Sequence, residues 1–294
     1  MPKKKSENQV VEDLKRKTAE EMHKKLPTLK AKQDGINDGL QRLQNFRDTD
    51  KDPYGKGKGR HLAIVQTTHR SCESHEQFAR KVLDDVNGTF NRDYRAQMMS
   101  GELSRRDLME LIKVRGELLP LWISFDAPFP GEYVGAIAPA DESKLNDGDA
   151  VAAFNSEGDW ILCDIISCLS NSRYECRDVD DDKKRIIVYS RNHLIPLPKW
   201  KANPVSDKHA LFVKNAVVLA LYPQTTCFYK GKVHAPPATF REPYQVVFED
   251  SSYASGYCPP MPVSQKYVVA FREVAGITAS TAPRKNHKKK QEHS

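Results

Sequence analysis

Three aromatic residues in the C-terminal part of the chain, Tyr222, Tyr229 and Phe248, have the type and spacing to gather around a cation. Tyr222 and Tyr229 flank the turn Pro223-Gln224-Thr225-Thr226 between two apolar runs, and Phe248 closes a third run that starts at Tyr244. If these runs are adjacent strands of a small barrel, the rings turn their π-faces to one pocket. A methylated ammonium suits such a pocket, and each ring contributes about 0.5 to 2 kcal/mol depending on desolvation. A micromolar complex requires about 8 kcal/mol, so flanking peptide contacts must add the rest. Gln224, Thr225, Thr226, Glu249 and Asp250 make the rim polar, and a tyrosine hydroxyl is easier to satisfy at a wet mouth than in a core. The competing reading is that strand aromatics are core residues.

The region containing the rings is a repeat. Val151, Ala152, Phe154, Trp160 and Ile165 match Leu219, Ala220, Tyr222, Phe228 and Val233 at one constant offset. After a loop two residues longer in the second copy, Tyr174, Asp178 and Asp180 match Tyr244, Phe248 and Asp250. Either one five-strand unit is written twice or two hairpin-rich sheets echo each other. Where the second copy has Tyr229 and Phe248, the first has Ile161 and Asp178, so its ring set is incomplete. It offers instead the run Asp178-Val179-Asp180-Asp181-Asp182. Its carboxylates can hold a peptide's positively charged amino terminus through charge-assisted hydrogen bonds of about 1.5 to 3 kcal/mol each; a solvated acidic turn is the plain alternative. Two unequal pockets on paired barrels make a ruler that selects a methylated lysine a fixed distance from a free amino terminus.

The elements that position these groups follow from periodicity. Apolar residues of the N-terminal part recur at steps of three and four, through Leu14, Met22, Leu26, Leu29, Ile36, Leu40 and Leu43, which predicts an amphipathic helix interrupted or kinked at Pro27. The Asp-, Pro- and Gly-dense stretch 48–60 predicts a loop, and Phe78, Val82, Val86, Phe90, Tyr94 and Met98 predict a second helix. Such helices need a partner, which makes a helical hairpin or coiled coil docking onto other subunits the economical expectation and an autonomous small bundle the alternative. Beyond a Pro/Gly connector, short β-branched and aromatic runs separated by turn signals predict small antiparallel barrels. The expected organisation is a helical or coiled-coil interaction region at 1–118, a connector at 119–145, a first barrel at 146–198, a linker at 199–216, a second barrel at 217–275 and a basic disordered tail at 276–294. The proline-stiffened linker suits two barrels held face to face, with Trp200 buried against both.

Composition bounds the remaining possibilities. The net charge of +7 lies largely in the N-terminal region and the tail Arg284-Lys285-Asn286-His287-Lys288-Lys289-Lys290, which is a solvated appendage, an import signal or a weak nucleic-acid contact. The 6 cysteines form no CxxC pair and no zinc-ligand spacing, so free thiols in a reducing, intracellular compartment are expected, with no metal and no cofactor. No apolar run is long enough for a membrane span, and no membrane partner is expected. The β region has only His193, His209 and His234, with no nucleophile elbow, phosphate loop or metal spacing near them, which argues against an enzyme. Nucleic-acid binding and pure scaffolding are the rival functions; the acidic run and Glu249-Asp250 oppose the first because they repel phosphate.

Along 147–271 the chain resembles the C-terminal tandem Tudor domain of the SAGA-associated factor 29 family. The resemblance is carried by Trp160-Ile161-Leu162, by Leu194-Ile195-Pro196-Leu197-Pro198-Lys199-Trp200, by Leu221-Tyr222-Pro223-Gln224-Thr225-Thr226-Cys227-Phe228-Tyr229, by His234-Ala235-Pro236-Pro237 and by Phe248-Glu249-Asp250. It implies an all-β tandem Tudor fold of two SH3-like antiparallel barrels. It also implies a nuclear chromatin reader that binds the histone H3 tail di- or trimethylated on its fourth-residue lysine, within a SAGA-type acetyltransferase complex. On that resemblance Tyr222, Tyr229 and Phe248 form the methyl-lysine cage, Asp178 and Asp180 grip the terminal amine, and Gln224 and Thr226 touch the peptide. Arg177 stands where the family usually has an acid, and an arginine beside the acids is expected to weaken their field.

Overall fold

The computed structural model describes residues 9–49, 58–100, 103–122, 133–139, 143–170 and 172–273. The basic tail at 276–294, most of the expected loop at 48–60 and parts of the connector lie outside the described residues. The chain divides into two compact units, Met1–Glu102 and Leu103–Ser294.

The first unit is a helical hairpin of α1 (Gln9–Thr49) and α2 (Lys58–Ser100). Ion pairs Lys17–Asp93 at 3.0 Å and Lys25–Asp85 at 3.5 Å, with Lys32 Nζ donating to Ser74 Oγ at 2.9 Å, run in opposite sequence directions, so the helices are antiparallel. Val82, Val86, Phe90, Tyr94 and Met98 bury the stripe that the four-residue spacing predicts, together with Leu14 and Ile36. Contrary to the expected interruption, α1 continues through Pro27. Proline removes the hydrogen bond to the carbonyl four residues back, and that residue, His23, is exposed like Pro27, so water can satisfy the freed oxygen.

The second unit begins with a helix that the sequence assigns to the helical region, α3 (Arg105–Glu117). Ser104 caps it: the hydroxyl accepts from Asp107 N at 3.2 Å and donates to Asp107 Oδ2 at 2.8 Å. Its far end is bound to the β region, since Arg115 Nη1 donates to Asp164 Oδ1 at 2.8 Å and Tyr267 OH donates to Ile112 O at 2.8 Å.

Two copies of one five-strand pattern follow. In the first, β1 (Ala150–Phe154), β2 (Trp160–Ser170), β3 (Arg173–Asp178) and β4 (Ile186–Ser190) form a meander, and β5 (Leu194–Pro196) returns through a 3-10 turn to pair with β1. In the second, β6 (Val217–Leu221), β7 (Cys227–Ala235), β8 (Tyr244–Phe248), β9 (Met261–Val263) and β10 (Val268–Ala270) repeat that order, including the 3-10 turn before the last strand. This is a tandem Tudor-like arrangement with two corrections to the expected barrels. The sheet is open, because among the described residues β4 pairs only with β3 and β9 only with β8. Nor do the copies meet face to face: β2 pairs with β7 through Trp160↔Phe228 and Ile161↔Cys227, which joins them edge to edge in one ten-stranded sheet. Side chains on the inner face still close the first copy's core, where Val151, Cys163, Tyr174, Tyr189 and Leu194 bring five strands together.

Trp200 is placed differently from expectation as well. It packs edge-on to Trp122 of the connector, ring centroids 5.5 Å apart, in a small cluster with Val134, Ala202 and Ala210, so linker and connector are bound to each other. The ladder also refines the repeat. Phe154 pairs with Trp160 but Leu221 pairs with Phe228, so the strand counterpart of Phe154 is Leu221, and Tyr222 falls on the opposite, inner face because alternate residues change face.

Candidate functional site

The rings converge because of register. Ala220 lies opposite Tyr229 and Gly231 opposite Phe248, and directly paired residues of an antiparallel ladder share a face. Tyr222, one step beyond β6, completes the set: its ring centroid is 5.0 Å from that of Phe248 and 5.8 Å from that of Tyr229, the latter pair edge-on at 82°. Phe248 is fully buried at 0% exposure and forms the floor, while Tyr222 and Tyr229 are half-buried and form the walls. Phe248 is held through its backbone, Cys258 N donating to its carbonyl at 3.0 Å and its own N donating to Cys258 Sγ at 3.3 Å. Gly231 makes room for it: a Cβ there would lie 2.8 Å from Val247 O and 3.3 Å from Phe248 Cδ1. Burial, with the nearby Cys227 adding, pushes the Tyr229 phenol up to about 12, and burial likewise raises Tyr222, so both rings stay neutral at physiological pH.

The turn between β6 and β7 is fixed by Thr225, which the sequence offered only as rim polarity. Its hydroxyl donates to Tyr222 O at 2.9 Å and accepts from Cys227 N at 3.2 Å. Gln224 is exposed at the tip with φ of 63°, a left-handed conformation rare outside glycine and asparagine. Thr226 is buried, and its backbone carbonyl accepts from Leu162 N at 2.8 Å across the seam between the two copies.

The acidic pair belongs to the first copy. Asp178 lies opposite Cys163 as Phe248 lies opposite Gly231, so the carboxylate stands at the ladder position the floor ring holds in the second copy. Asp180 N donates to Asp178 Oδ1 at 2.9 Å. Burial, reinforced by the charges of Asp180 and Asp181, raises the Asp178 carboxyl above its ordinary range against that hydrogen bond. Asp180 Oδ2 accepts from Thr226 Oγ1 at 3.4 Å and from Arg105 Nη1 of α3 at 2.6 Å. Asp181 is engaged elsewhere: Arg185 binds it through side chain and backbone and holds its carboxyl down at about 2. Arg177 pairs with Asp164 while Asp178 pairs with Cys163, so Arg177 is on the other face from Asp178. Besides Arg185, which acts on the acids from Asp181, Arg105 bonds directly to Asp180 from 75 residues away, a contact visible only in the fold.

Ring cluster and acidic pair therefore sit at two ends of one short turn, joined by the Asp180–Thr226 contact across the seam. That surface has an uncharged aromatic corner and an anionic notch. It can take a hydrophobic cation and a compact ammonium on the same chain. Among the described residues no cluster of His, Cys, Asp or Glu could hold a metal ion, and no helix is long and apolar enough to cross a membrane.

A tandem Tudor-like domain of this construction has relatives. Residues 147–272 match the family model described as the SGF29 tudor-like domain. The Drosophila melanogaster protein named SAGA-associated factor 29kDa is 42% identical over 175 residues, 58% of this chain and 61% of that protein. The Schizosaccharomyces pombe SAGA complex subunit Sgf29 is 38% identical over 88 residues, 27% of this chain and 33% of its own length. The C-terminal region of the chain thus resembles the tudor-like domain of the SGF29 family. The chain spans 61% of the length of the Drosophila relative and 33% of that of the fission-yeast one. Among solved structures, Arabidopsis thaliana AGDP1 AGD34 aligns with a TM-score of 0.27 and 12% identity, over 43% of this chain and 82% of that one, a likeness too low to argue from.

Proposed function

We propose that the C-terminal unit reads the amino-terminal tail of histone H3 di- or trimethylated on its fourth-residue lysine, with the lysine against Tyr222, Tyr229 and Phe248 and the terminal amine at Asp178 and Asp180. The observation that carries this reading is the hydrogen bond from Thr226 to Asp180, which ties the acidic notch to the turn that begins at Tyr222. Three residue steps separate an amino terminus from a fourth-residue lysine, about 10 Å of extended chain, a span suited to two sites at the ends of one turn. In this reading Gln224, exposed at the tip, touches the peptide backbone between them, and the buried Thr226 acts through its hydroxyl's bond to Asp180 and not by direct contact. The relatives' names support a place for the chain as a non-catalytic subunit of a SAGA-type acetyltransferase complex in the nucleus. Met22, Leu26, Leu40 and Leu62 are exposed on the helical hairpin and offer a surface for other subunits.

Calorimetric titration with H3 N-terminal peptides tests the reading. Trimethylated peptide is expected to bind more tightly than unmodified, and Tyr229→Ala to erase that difference. Acetylating the peptide's amino terminus should weaken binding separately. Equal affinity for methylated and unmethylated peptides rules the cage out; indifference to acetylation removes Asp178 and Asp180 from the site.

A further inference from the structure

Beside the ring cluster lies a groove of about 430 Å³ between α3 and the second copy. Ile112 and Tyr267 are buried at its floor, and Met109, Pro223 and Pro262 form its walls. Lys113, Lys201, Arg241, Glu117 and Glu242 line it with both signs of charge and a small positive excess, so the rim disfavours cationic residues and the apolar walls favour uncharged side chains. Its volume falls within the range of about 300 to 1,000 Å³ usual for ligand sites and exceeds the space a methylammonium needs.

The groove is preformed. Tyr267 OH donates to Ile112 O at 2.8 Å and Ser264 Oγ donates to Gly116 O at 2.9 Å, which fasten α3 to the 3-10 turn before β10. The approach is close enough that a Cβ at Gly116 would lie 2.9 Å from Tyr267 Cε2 and from Ser264 Cβ. A ligand that fills such a site meets walls already ordered and loses little of its binding energy to arranging them.

Continuity identifies the occupant. Tyr222, which touches both other rings, also lines the groove, followed by Pro223, Gln224 and Thr225. The turn thus has Asp180 bonded to Thr226 at one end and the groove at the other. Gln224, exposed and held at positive φ, stands on the lip between rings and groove; backbone strain of this kind concentrates at ligand clamps. A chain whose amine sits in the acidic notch and whose lysine reaches the rings must leave past Pro223.

We propose that the groove is a third subsite of the same reader, taking the uncharged residues that follow the methylated lysine in the bound peptide; the inference rests on the function proposed above. A separate protein segment would have to share Tyr222 with the methylated ligand and would compete with it.

The test compares two trimethylated H3 peptides on the full-length protein, one ending a single residue after the methyl-lysine and one extended by about eight residues. The extension is expected to tighten binding about tenfold, the equivalent of burying one aliphatic side chain. Met109→Glu, at a half-exposed position of α3, and Pro262→Glu, at an exposed one, should each erase the gain from the extension. Both should leave the short peptide's affinity and methyl preference as in the wild type. Two variants guard against a folding defect in either. Equal affinity of short and long peptides overturns the groove while the reader stands. A gain that survives both substitutions comes from elsewhere and overturns it as well. A short peptide that binds without regard to methylation overturns the underlying function, and the groove assignment with it.

Discussion

Arg105 Nη1 lies 2.6 Å from Asp180 Oδ2, so the cation facing the acidic notch in the free protein is supplied by the chain itself. The arginine side chain is 61% exposed and that of the aspartate 27%, and ion pairs so open to water contribute only about 0 to 1 kcal/mol. Arg105 is therefore weakly held, and in the proposed reader it competes with the peptide's terminal amine and does not assist it.

Replacing it tests that relation. Arg105→Ala should tighten binding of a peptide with a free amino terminus by up to about fivefold, the ceiling set by an exposed pair. An amino-acetylated peptide should show no change. Calorimetry on the four combinations of protein and peptide reads the effect directly, and weaker binding to the free-amine peptide would mean that Arg105 assists the site.

In the proposed site, Asp178 makes amine recognition sensitive to acid. Its carboxyl is raised chiefly by burial, and an incoming ammonium needs it ionised. Binding of a free-amine peptide should weaken as pH falls through that raised value, with proton release on binding in the same window. For stability the sign is opposite: a carboxyl whose folded pKa exceeds its unfolded one favours the folded state at low pH, and that contribution is lost as pH rises through the window. Asp178→Asn should accordingly stabilise the free protein at neutral pH while weakening amine binding, which thermal melts and titrations measure separately.

The three rings are not interchangeable probes. Phe248 is wholly buried, and truncating such a side chain costs about 3 to 5 kcal/mol of stability, so Phe248→Ala should lose binding through unfolding, visible as a large fall in Tm. Tyr222 and Tyr229 are half-buried, and their truncation should cost methyl preference with a smaller change in Tm. Tyr222→Phe keeps the π-face and should retain binding within about threefold, since a cation in the proposed cage is attracted by the ring and not by the hydroxyl.

Much of this site was legible because strand alternation and the doubled pattern are local properties. The equivalence of Asp178 and Phe248, read from the repeat, is the equivalence the ladders show. The Tyr222 alignment slipped by one because a constant offset hides an extra residue in the second hairpin. Residues 155–159 separate Phe154 from Trp160, whereas 222–227 separate Leu221 from Phe228, and one added residue turns the next side chain to the other face. Edge-to-edge joining through β2 and β7 has no local signature, since Trp160 and Phe228 suit a barrel core as well as a seam. Arg105 was illegible for the same reason: its partner is set by where α3 docks, and that depends on contacts such as Arg115 with Asp164.

That docking rests on an enclosed ionic group whose pH response can be stated. Arg115 and Asp164 are 8% and 4% exposed at 2.8 Å, and removing one partner of such a pair costs about 3 to 5 kcal/mol because the other charge stays buried. Asp164→Ala should therefore lower Tm sharply. Lys266 shares the enclosure: its Nζ donates to Pro198 O at 3.4 Å, and burial first, then the charge of Arg115, lowers its amine to about 7, with Asp164 and Asp149 opposing. A base with a depressed folded pKa contributes fully above its unfolded value of about 10.4, and the contribution is lost as pH falls toward the folded value. Lys266→Met should thus be more stable than wild type near neutrality, with the advantage shrinking as pH rises toward about 10. Thermal melts of both proteins across that range decide it, and an advantage independent of pH would assign the gain to packing instead.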